Sequence, residues 1–239
     1  RLAAAGHEVV AVDLRGHGLS EQVPDGHSTQ QAAADLAALV DLLGLVGDRT
    51  PIAVGQSWGG NVVLTLAAEH GRVAGLGLID GGWIALGERF ATFDDCWAVL
   101  APPVFGSVPL ERMTERLRSW HPDWPEESIQ GALANFAVSP DRTVAPRLAR
   151  EHHRQILRSL WEADVTSLYP RVTVPVLLTP VRSDDHDPMH RDAPRRAVEL
   201  LPDAVVVWYD DADHDLHAQQ PDRLVADLAD LAARVEAGR

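Results

Sequence analysis

A serine flanked by glycines, in Gly55-Gln56-Ser57-Trp58-Gly59, is the residue of this sequence whose surroundings best suit chemistry. A short apolar run, PIAV, precedes this stretch, and a longer one, NVVLTLAAEH, follows it. The pattern predicts a strand, a sharp turn and a helix. On such a turn the serine backbone is strained and its hydroxyl projects from the sheet edge. We also expect that side chains in place of the flanking glycines, Gly55 and Gly59, would collide with the neighbouring strand and helix. The spacing therefore favours a nucleophilic serine over a plain connecting turn.

A serine hydroxyl needs a base to act as a nucleophile, and the charge that develops on the substrate needs a hydrogen-bond donor. The backbone N–H of Trp58, at the start of the predicted helix, is the expected oxyanion donor. The base is expected between the last strand and the last helix, where DDADHDLHAQQPDRL offers His214 and His217. His214 is preferred because it lies nearer the end of the strand, and His217 is interpreted as a pocket or loop residue.

The base in turn needs a buried carboxylate that fixes its tautomer. The segment VPVLLTPVRSDDHD offers Asp184 and Asp185 just after a strand, in the chain order Ser, Asp, His. Asp80 ends the run GLGLID and is a rival from a different strand. Aspartates after strands more often cap or solvate turns, so the residue pattern alone leaves all three open.

These side chains must be positioned by a frame of alternating strands and helices. Strands are predicted at residues 8–14, 51–54, 75–80, 174–180 and 204–210, from the apolar runs EVVAVDL, PIAV, GLGLID, VPVLLTP and AVVVWYD. Ser28 is expected to cap an intervening helix, and the last helix begins near Pro221 and buries an apolar face: Leu224, Leu228, Leu231 and Val235. Continuous apolar strands separated by helices predict the α/β class, with a mostly parallel sheet covered by helices on both faces.

Residues 83–168 interrupt this alternation. They hold five of the seven Trp and all four Phe, show no clear strand, and are divided by prolines into short helical stretches. We interpret them as a helical lid or cap inserted into a core formed by residues 1–82 and 169–239, with most of the aromatic side chains forming a small core of their own.

Composition and charge exclude several other classes. The net charge of −14 argues against nucleic acid and anionic membranes as partners, and no apolar run is long enough to span a membrane. The single cysteine, Cys96, fits a cytoplasmic location. His186 and His190 lie among acidic residues, but their spacing is not that of a tight metal site, so no functional metal is expected.

From Ala5 to the C-terminus, except for the insertion, the sequence resembles the α/β-hydrolase fold superfamily. GHEVVAVDLRGHGLS is similar to the strand and loop ahead of the nucleophile, GQSWGG to the nucleophile turn, and DHDLHAQQPDRL to the histidine loop. The resemblance also indicates Asp184 over Asp185, because Asp184 lies nine residues after Pro175. It implies a triad of Ser57, Asp184 and His214, with no cofactor.

A serine at the nucleophile position disfavours the dehalogenases and epoxide hydrolases of the superfamily, which use aspartate there. The resemblance implies an esterase-like serine hydrolase that acts on a small acyl substrate through an acyl-enzyme, and the aromatic insertion is expected to make the acyl pocket apolar. The alternatives are an acyltransferase or a C–C bond hydrolase with the same triad, or a non-catalytic ligand-binding protein of this fold.

The first residue, Arg1, bears on how much of the fold is present. In the superfamily a further strand lies between the strand that resembles VVAVDL and the one that resembles PIAV, and the loop after it supplies the second oxyanion donor. We therefore expect an N-terminally truncated chain, in which these two strands either sit apart or close up in a non-native pairing.

Overall fold

The computed structural model describes residues 1–104, 106–182 and 191–238. In chain order its strands are β1 Ile52–Gln56, β2 Gly75–Ile79, β3 Val108–Pro109, β4 Phe136–Val138, β5 Thr143–Pro146, β6 Val176–Thr179 and β7 Ala204–Val206. Four of them form a parallel sheet in the order β1-β2-β6-β7. The expected α/β class with a mostly parallel sheet is confirmed.

The helices connect these strands and cover both faces of the sheet. They are α1 Thr29–Leu42, α2 Trp58–Thr65, α3 Phe93–Leu100, α4 Leu110–Trp120, α5 Glu126–Leu133, α6 Arg150–Trp161, α7 Ala193–Leu200, α8 Leu216–Gln219 and α9 Pro221–Ala237. As expected, the hydroxyl of Ser28 caps α1 by accepting from the backbone N–H of Gln31. Within the described ranges, no helix is long and apolar enough to cross a membrane.

The two faces of β2 differ in side-chain size, and this difference sets how closely the helices approach. Leu76 and Leu78 are fully buried on the face covered by α1, α2 and α7. Gly75 and Gly77 face α9, where an added Cβ would lie 2.7 Å from Val235 and 2.9 Å from Leu228. The glycines therefore let α9 pack directly on the backbone of β2, through the apolar face that the sequence predicted for this helix.

Residues 8–14 do not form the predicted strand. Val9, Val10 and Val12 are 49%, 52% and 43% exposed, and no backbone N–H of residues 8–13 donates to a backbone carbonyl in the described structure. A cavity of about 380 Å³ lies between this segment and β1, and it is lined by apolar side chains that include Val12 and Val54. An apolar run forms a strand only where a neighbour offers its hydrogen bonds, and here residues 8–14 and β1 sit apart.

The insertion contains strands that the sequence did not reveal. β3, β4 and β5 form a small antiparallel sheet, and Arg142 in the turn between β4 and β5 has φ 61°. The apolar side chains of the insertion form two clusters, one around Phe93 and α6 and one around Met113 and Ile129. The sequence did not predict these strands because they are only two to four residues long.

Candidate active site

Ser57 lies on the turn between β1 and α2, in a conformation that non-glycine residues rarely adopt. Its φ is 55° and its ψ is −122°. Such strain persists only where the surroundings impose it. Here the backbone N–H of Ser57 donates to the carbonyl of Ile79 at 2.9 Å, and the Ser57 carbonyl accepts from Gly60 N–H at 2.9 Å. The strained residue is therefore the one that the sequence predicts as the nucleophile, Ser57.

The glycines around Ser57 do not all serve the purpose expected of them. A Cβ at Gly55 would lie 2.1 Å from the carbonyl oxygen of Gly59, so glycine is required there. A Cβ at Gly59 would meet nothing within 4 Å, so the predicted collision at this position is wrong. The crowded glycine of the helix is Gly60, where a Cβ would lie 2.6 Å from the backbone of Gly81 and Gly82.

Trp58 is the first residue of α2, so its backbone N–H lies at the helix start, as expected for an oxyanion donor. Its side chain is held elsewhere: the indole Nε1–H donates to Thr29 Oγ1 at 3.0 Å, and the ring stacks on His17 at a centroid distance of 5.6 Å. Any role of Trp58 at the turn therefore belongs to its main chain.

His214 lies in the loop after β7 and is hydrogen-bonded to a buried carboxylate. Its Nδ1 is 2.6 Å from Oδ2 of Asp80, whose side chain is 4% exposed, whereas the imidazole is 50% exposed. The hydrogen bond to Asp80 raises the pKa of His214, against the opposing effect of burial. This is the arrangement that fixes one tautomer of a histidine and favours its protonated form.

Asp80 directly follows β2 and is fixed at both carboxylate oxygens. Oδ1 accepts from the backbone N–H of Val181 at 3.1 Å, while Oδ2 faces His214. In the pairing of β1 with β2, Gln56 is opposite Ile79, so Ser57 and Asp80 are the next residues on adjacent strands. Asp80 also has a positive φ, 39°. The candidate nucleophile and this carboxylate are therefore held side by side by the same ladder.

The acid expected from the resemblance, Asp184, lies outside the described residues, as do Asp185, His186 and His190. The carboxylate that contacts His214 in the described structure is that of Asp80, the rival from the earlier strand. His217 lies on α8, where burial lowers its pKa. Within the described ranges, no group of three or more His, Cys, Asp or Glu side chains is arranged to hold a metal ion.

Two amide side chains near Ser57 were missed by the sequence analysis. Gln56 Nε2 donates to the backbone carbonyl of His214 at 3.0 Å. Asn61 is 1% exposed, and its Oδ1 accepts from Gly82 N–H at 3.0 Å and Ile84 N–H at 3.3 Å, while its Nδ2 donates to Ile84 O at 2.7 Å. A polar residue at the start of the apolar run NVVLTL was the available signal for Asn61, because buried amides need partners.

The insertion contacts the histidine loop and the nucleophile turn. Ser128 Oγ donates to the carbonyl of Ala218 at 2.8 Å, and the His121 ring lies 3.6 Å from the carboxylate of Asp213. Trp58 packs against the cluster that contains Phe93 and α6. These contacts bring the insertion to both sides of the candidate site.

The sheet is parallel and covered on both faces. A strained serine lies between a strand and a helix, and a histidine after the last strand contacts a buried carboxylate. This combination is typical of α/β hydrolases. A model of the Alpha/beta hydrolase family matches residues 1–228, and the chain belongs to this family.

The chain is 30% identical over 231 residues to a non-heme chloroperoxidase of Streptomyces lividans, covering 93% of this chain and 80% of the relative. It is 27% identical to a bifunctional esterase/perhydrolase of Acinetobacter calcoaceticus, with the same coverage. The crystal structure of an E-2-(acetamidomethylene)succinate hydrolase superposes with a TM-score of 0.73 at 25% identity, covering 93% of this chain and 80% of that one. These relatives support a hydrolase.

Proposed function

We propose that this protein is a serine hydrolase that cleaves a carboxylic ester or a related acyl substrate through an acyl-enzyme. The observation that carries the proposal is the 2.6 Å contact between His214 Nδ1 and Asp80 Oδ2, beside the strained turn of Ser57. We assign Asp80, in place of Asp184, as the carboxylate that orients the base.

In the proposed mechanism these residues act in sequence. With Nδ1–H directed to Asp80, the neutral imidazole of His214 has its lone pair on Nε2 and accepts the proton of Ser57 as Oγ attacks the carbonyl carbon. The Trp58 N–H donates to the oxyanion of the tetrahedral intermediate. The protonated His214 then gives its proton to the leaving alcohol, which leaves an acyl-enzyme. Water attacks this ester in a second cycle, again with His214 as the base.

The proposed lid, residues 83–168, supplies the apolar side of the substrate site. Its support is the packing of Trp58 against the cluster around Phe93, together with the contacts that the insertion makes to the histidine loop. An apolar acyl group is the substrate part that such a surface favours, because each buried CH₂ is worth about 0.8 kcal/mol.

The first test combines a chemical probe with a substitution. A fluorophosphonate is expected to label Ser57 alone, and Ser57→Ala is expected to remove at least 99.9% of p-nitrophenyl ester hydrolysis, because the loss of a triad member reduces turnover by orders of magnitude. The thermal unfolding midpoint of the variant serves as the folding control. A variant that folds and retains a tenth of the parent rate would exclude Ser57 as the nucleophile.

Transfer of the acyl group to hydrogen peroxide is a second candidate, favoured by the names of the chloroperoxidase and perhydrolase relatives. In this reaction peroxide replaces water as the attacking group at the acyl-enzyme and the product is a peracid. Adding hydrogen peroxide to an ester assay and measuring peracid against free acid separates the two reactions. The same competition with an alcohol or an amine tests the acyltransferase alternative.

A further inference from the structure

The side chain of Gln56 joins the serine turn to the histidine loop. Gln56 is the last residue of β1 and directly precedes Ser57, and its Nε2 donates to the backbone carbonyl of His214 at 3.0 Å. The two residues are 158 positions apart in the chain. This one bond therefore links the main chain of the proposed base to the strand that carries the proposed nucleophile.

The polar contacts of the residues beside His214 hold the loop to itself or to the insertion, where the His121 ring lies 3.6 Å from the carboxylate of Asp213. Asp213 N–H donates to Gln219 Oε1 at 2.8 Å, and Asp215 N–H donates to Asp213 Oδ1 at 2.9 Å, so these bonds hold the loop to itself. In the part of the chain that the structure describes, His214 is tied to the sheet by two hydrogen bonds. One runs from its ring to Asp80 and the other runs from Gln56 to its carbonyl.

A ring held at a single atom still pivots about that atom. The bond to Asp80 fixes Nδ1 but leaves the direction of Nε2 free to vary, and packing restrains the ring less because half of the side chain is exposed. A second attachment at the His214 carbonyl fixes the main chain from which the ring projects. Together the two bonds restrain both the ring and the main chain of His214.

We propose that Gln56 is a positioning residue for His214, holding its main chain so that Nε2 faces the hydroxyl of Ser57. This inference rests on the proposed function. A glutamine suits the position because it donates a hydrogen bond to a carbonyl without adding charge beside the imidazole. A glutamate at this position offers no donor when ionised, and its negative charge raises the pKa of a nearby histidine.

The test compares Gln56→Met, which keeps the side-chain length and removes the donor, with Gln155→Met. Gln155 is a matched control because its Nε2 also donates to a backbone carbonyl, that of Pro24, at 3.0 Å. For each variant we measure the rate of Ser57 labelling by a fluorophosphonate, kcat and KM for a p-nitrophenyl ester across pH, and the thermal midpoint.

We expect Gln56→Met to lower the labelling rate and kcat about three- to tenfold at unchanged KM, the range that corresponds to one net hydrogen bond. The pKa that governs the low-pH side of kcat/KM should fall, because the ring is held less firmly against Asp80. Gln155→Met should retain the parent labelling rate and pH profile. A purely structural role for Gln56 would lower the thermal midpoint and the active fraction without moving this pKa.

Gln56→Glu separates the missing donor from a change of shape. It has the length of the parent residue but no donor at pH 8, so we expect a similar loss of kcat, with the governing pKa moved upward by the added charge. Parent rates in both Gln56 variants, or a loss explained fully by unfolded protein, would overturn the positioning role. If the parent protein is not labelled at Ser57, the proposed function itself fails.

Discussion

Replacing Asp80 by asparagine tests which carboxylate orients the base. Oδ1 of Asp80 accepts from Val181 N–H, so an asparagine in the same place keeps its oxygen there and turns its NH₂ group toward His214. The NH₂ group is a donor, so Nδ1 of His214 must become the acceptor and the proton moves to Nε2. In that tautomer the ring no longer accepts the proton of Ser57, and we expect kcat to fall about 10³–10⁴-fold.

The pH dependence gives a second measure of the same contact. The carboxylate of Asp80 stabilises the imidazolium and raises the pKa of His214. The neutral base therefore accumulates only as pH rises through this raised pKa, and kcat/KM rises with it. In Asp80→Asn the residual activity should reach its plateau at lower pH. The direction of the displacement is the test: a plateau at the parent pH would show that Asp80 does not raise this pKa.

The assay is p-nitrophenyl ester hydrolysis from pH 5 to pH 9, with the thermal midpoint as the folding check. Asp213→Asn is a matched control, since Asp213 lies beside His214 but makes no hydrogen bond to its ring in the described structure. It should lose less than tenfold. If Asp184→Asn abolishes activity while Asp80→Asn stays within tenfold of the parent, the assignment of Asp80 is wrong.

Three further predictions concern substrate, stability and association. Medium-chain p-nitrophenyl esters should be preferred over the acetate, because each added CH₂ contributes up to about 0.8 kcal/mol in an apolar pocket; a flat chain-length profile of kcat/KM would count against the lid. Asn61→Leu should lower the free energy of unfolding by about 2–4 kcal/mol in urea titration, because it leaves buried backbone groups of Gly82 and Ile84 without partners. An unchanged urea midpoint would refute this role of Asn61. Any self-association seen in sedimentation should be weaker in Val54→Lys, because Val54 is 40% exposed on the edge of β1 that pairs with no strand among the described residues. Equal weakening by Val205→Lys on the opposite edge strand would refute a specific role of this edge.

The sequence predicted those elements whose signals are local. Ser28 caps the start of α1, and the period of Leu224, Leu228 and Leu231 defines the buried face of α9. Residues 8–14 carry an equally clear apolar pattern, yet they form no strand, because strand formation depends on a neighbouring edge as well as on the segment itself. The pattern established a tendency for the extended conformation, but among the described residues no strand pairs with this segment.

The site illustrates the same distinction at the level of single residues. Ser57 and His214 were selected from local patterns, a turn between strand and helix and a loop before the last helix. The choice among the carboxylates depends on which strand end lies beside Ser57, and this is a property of the sheet order that no local pattern carries. The resemblance favoured Asp184, whereas the pairing of β1 with β2 brings Asp80 next to Ser57.

The described contacts divide the candidate site into a rigid part and an adjustable part. Ser57 and Asp80 end adjacent strands with positive φ angles, and their turns are in backbone contact, since a Cβ on Gly81 would lie 2.1 Å from the Ser57 carbonyl. Asn61 ties α2 to the segment that follows Asp80. Main-chain contacts therefore fix the serine and the carboxylate relative to each other, whereas His214 lies in a loop that is attached through side chains. The alignment of the base is thus the variable that the hydrogen bonds to Asp80 and Gln56 must control.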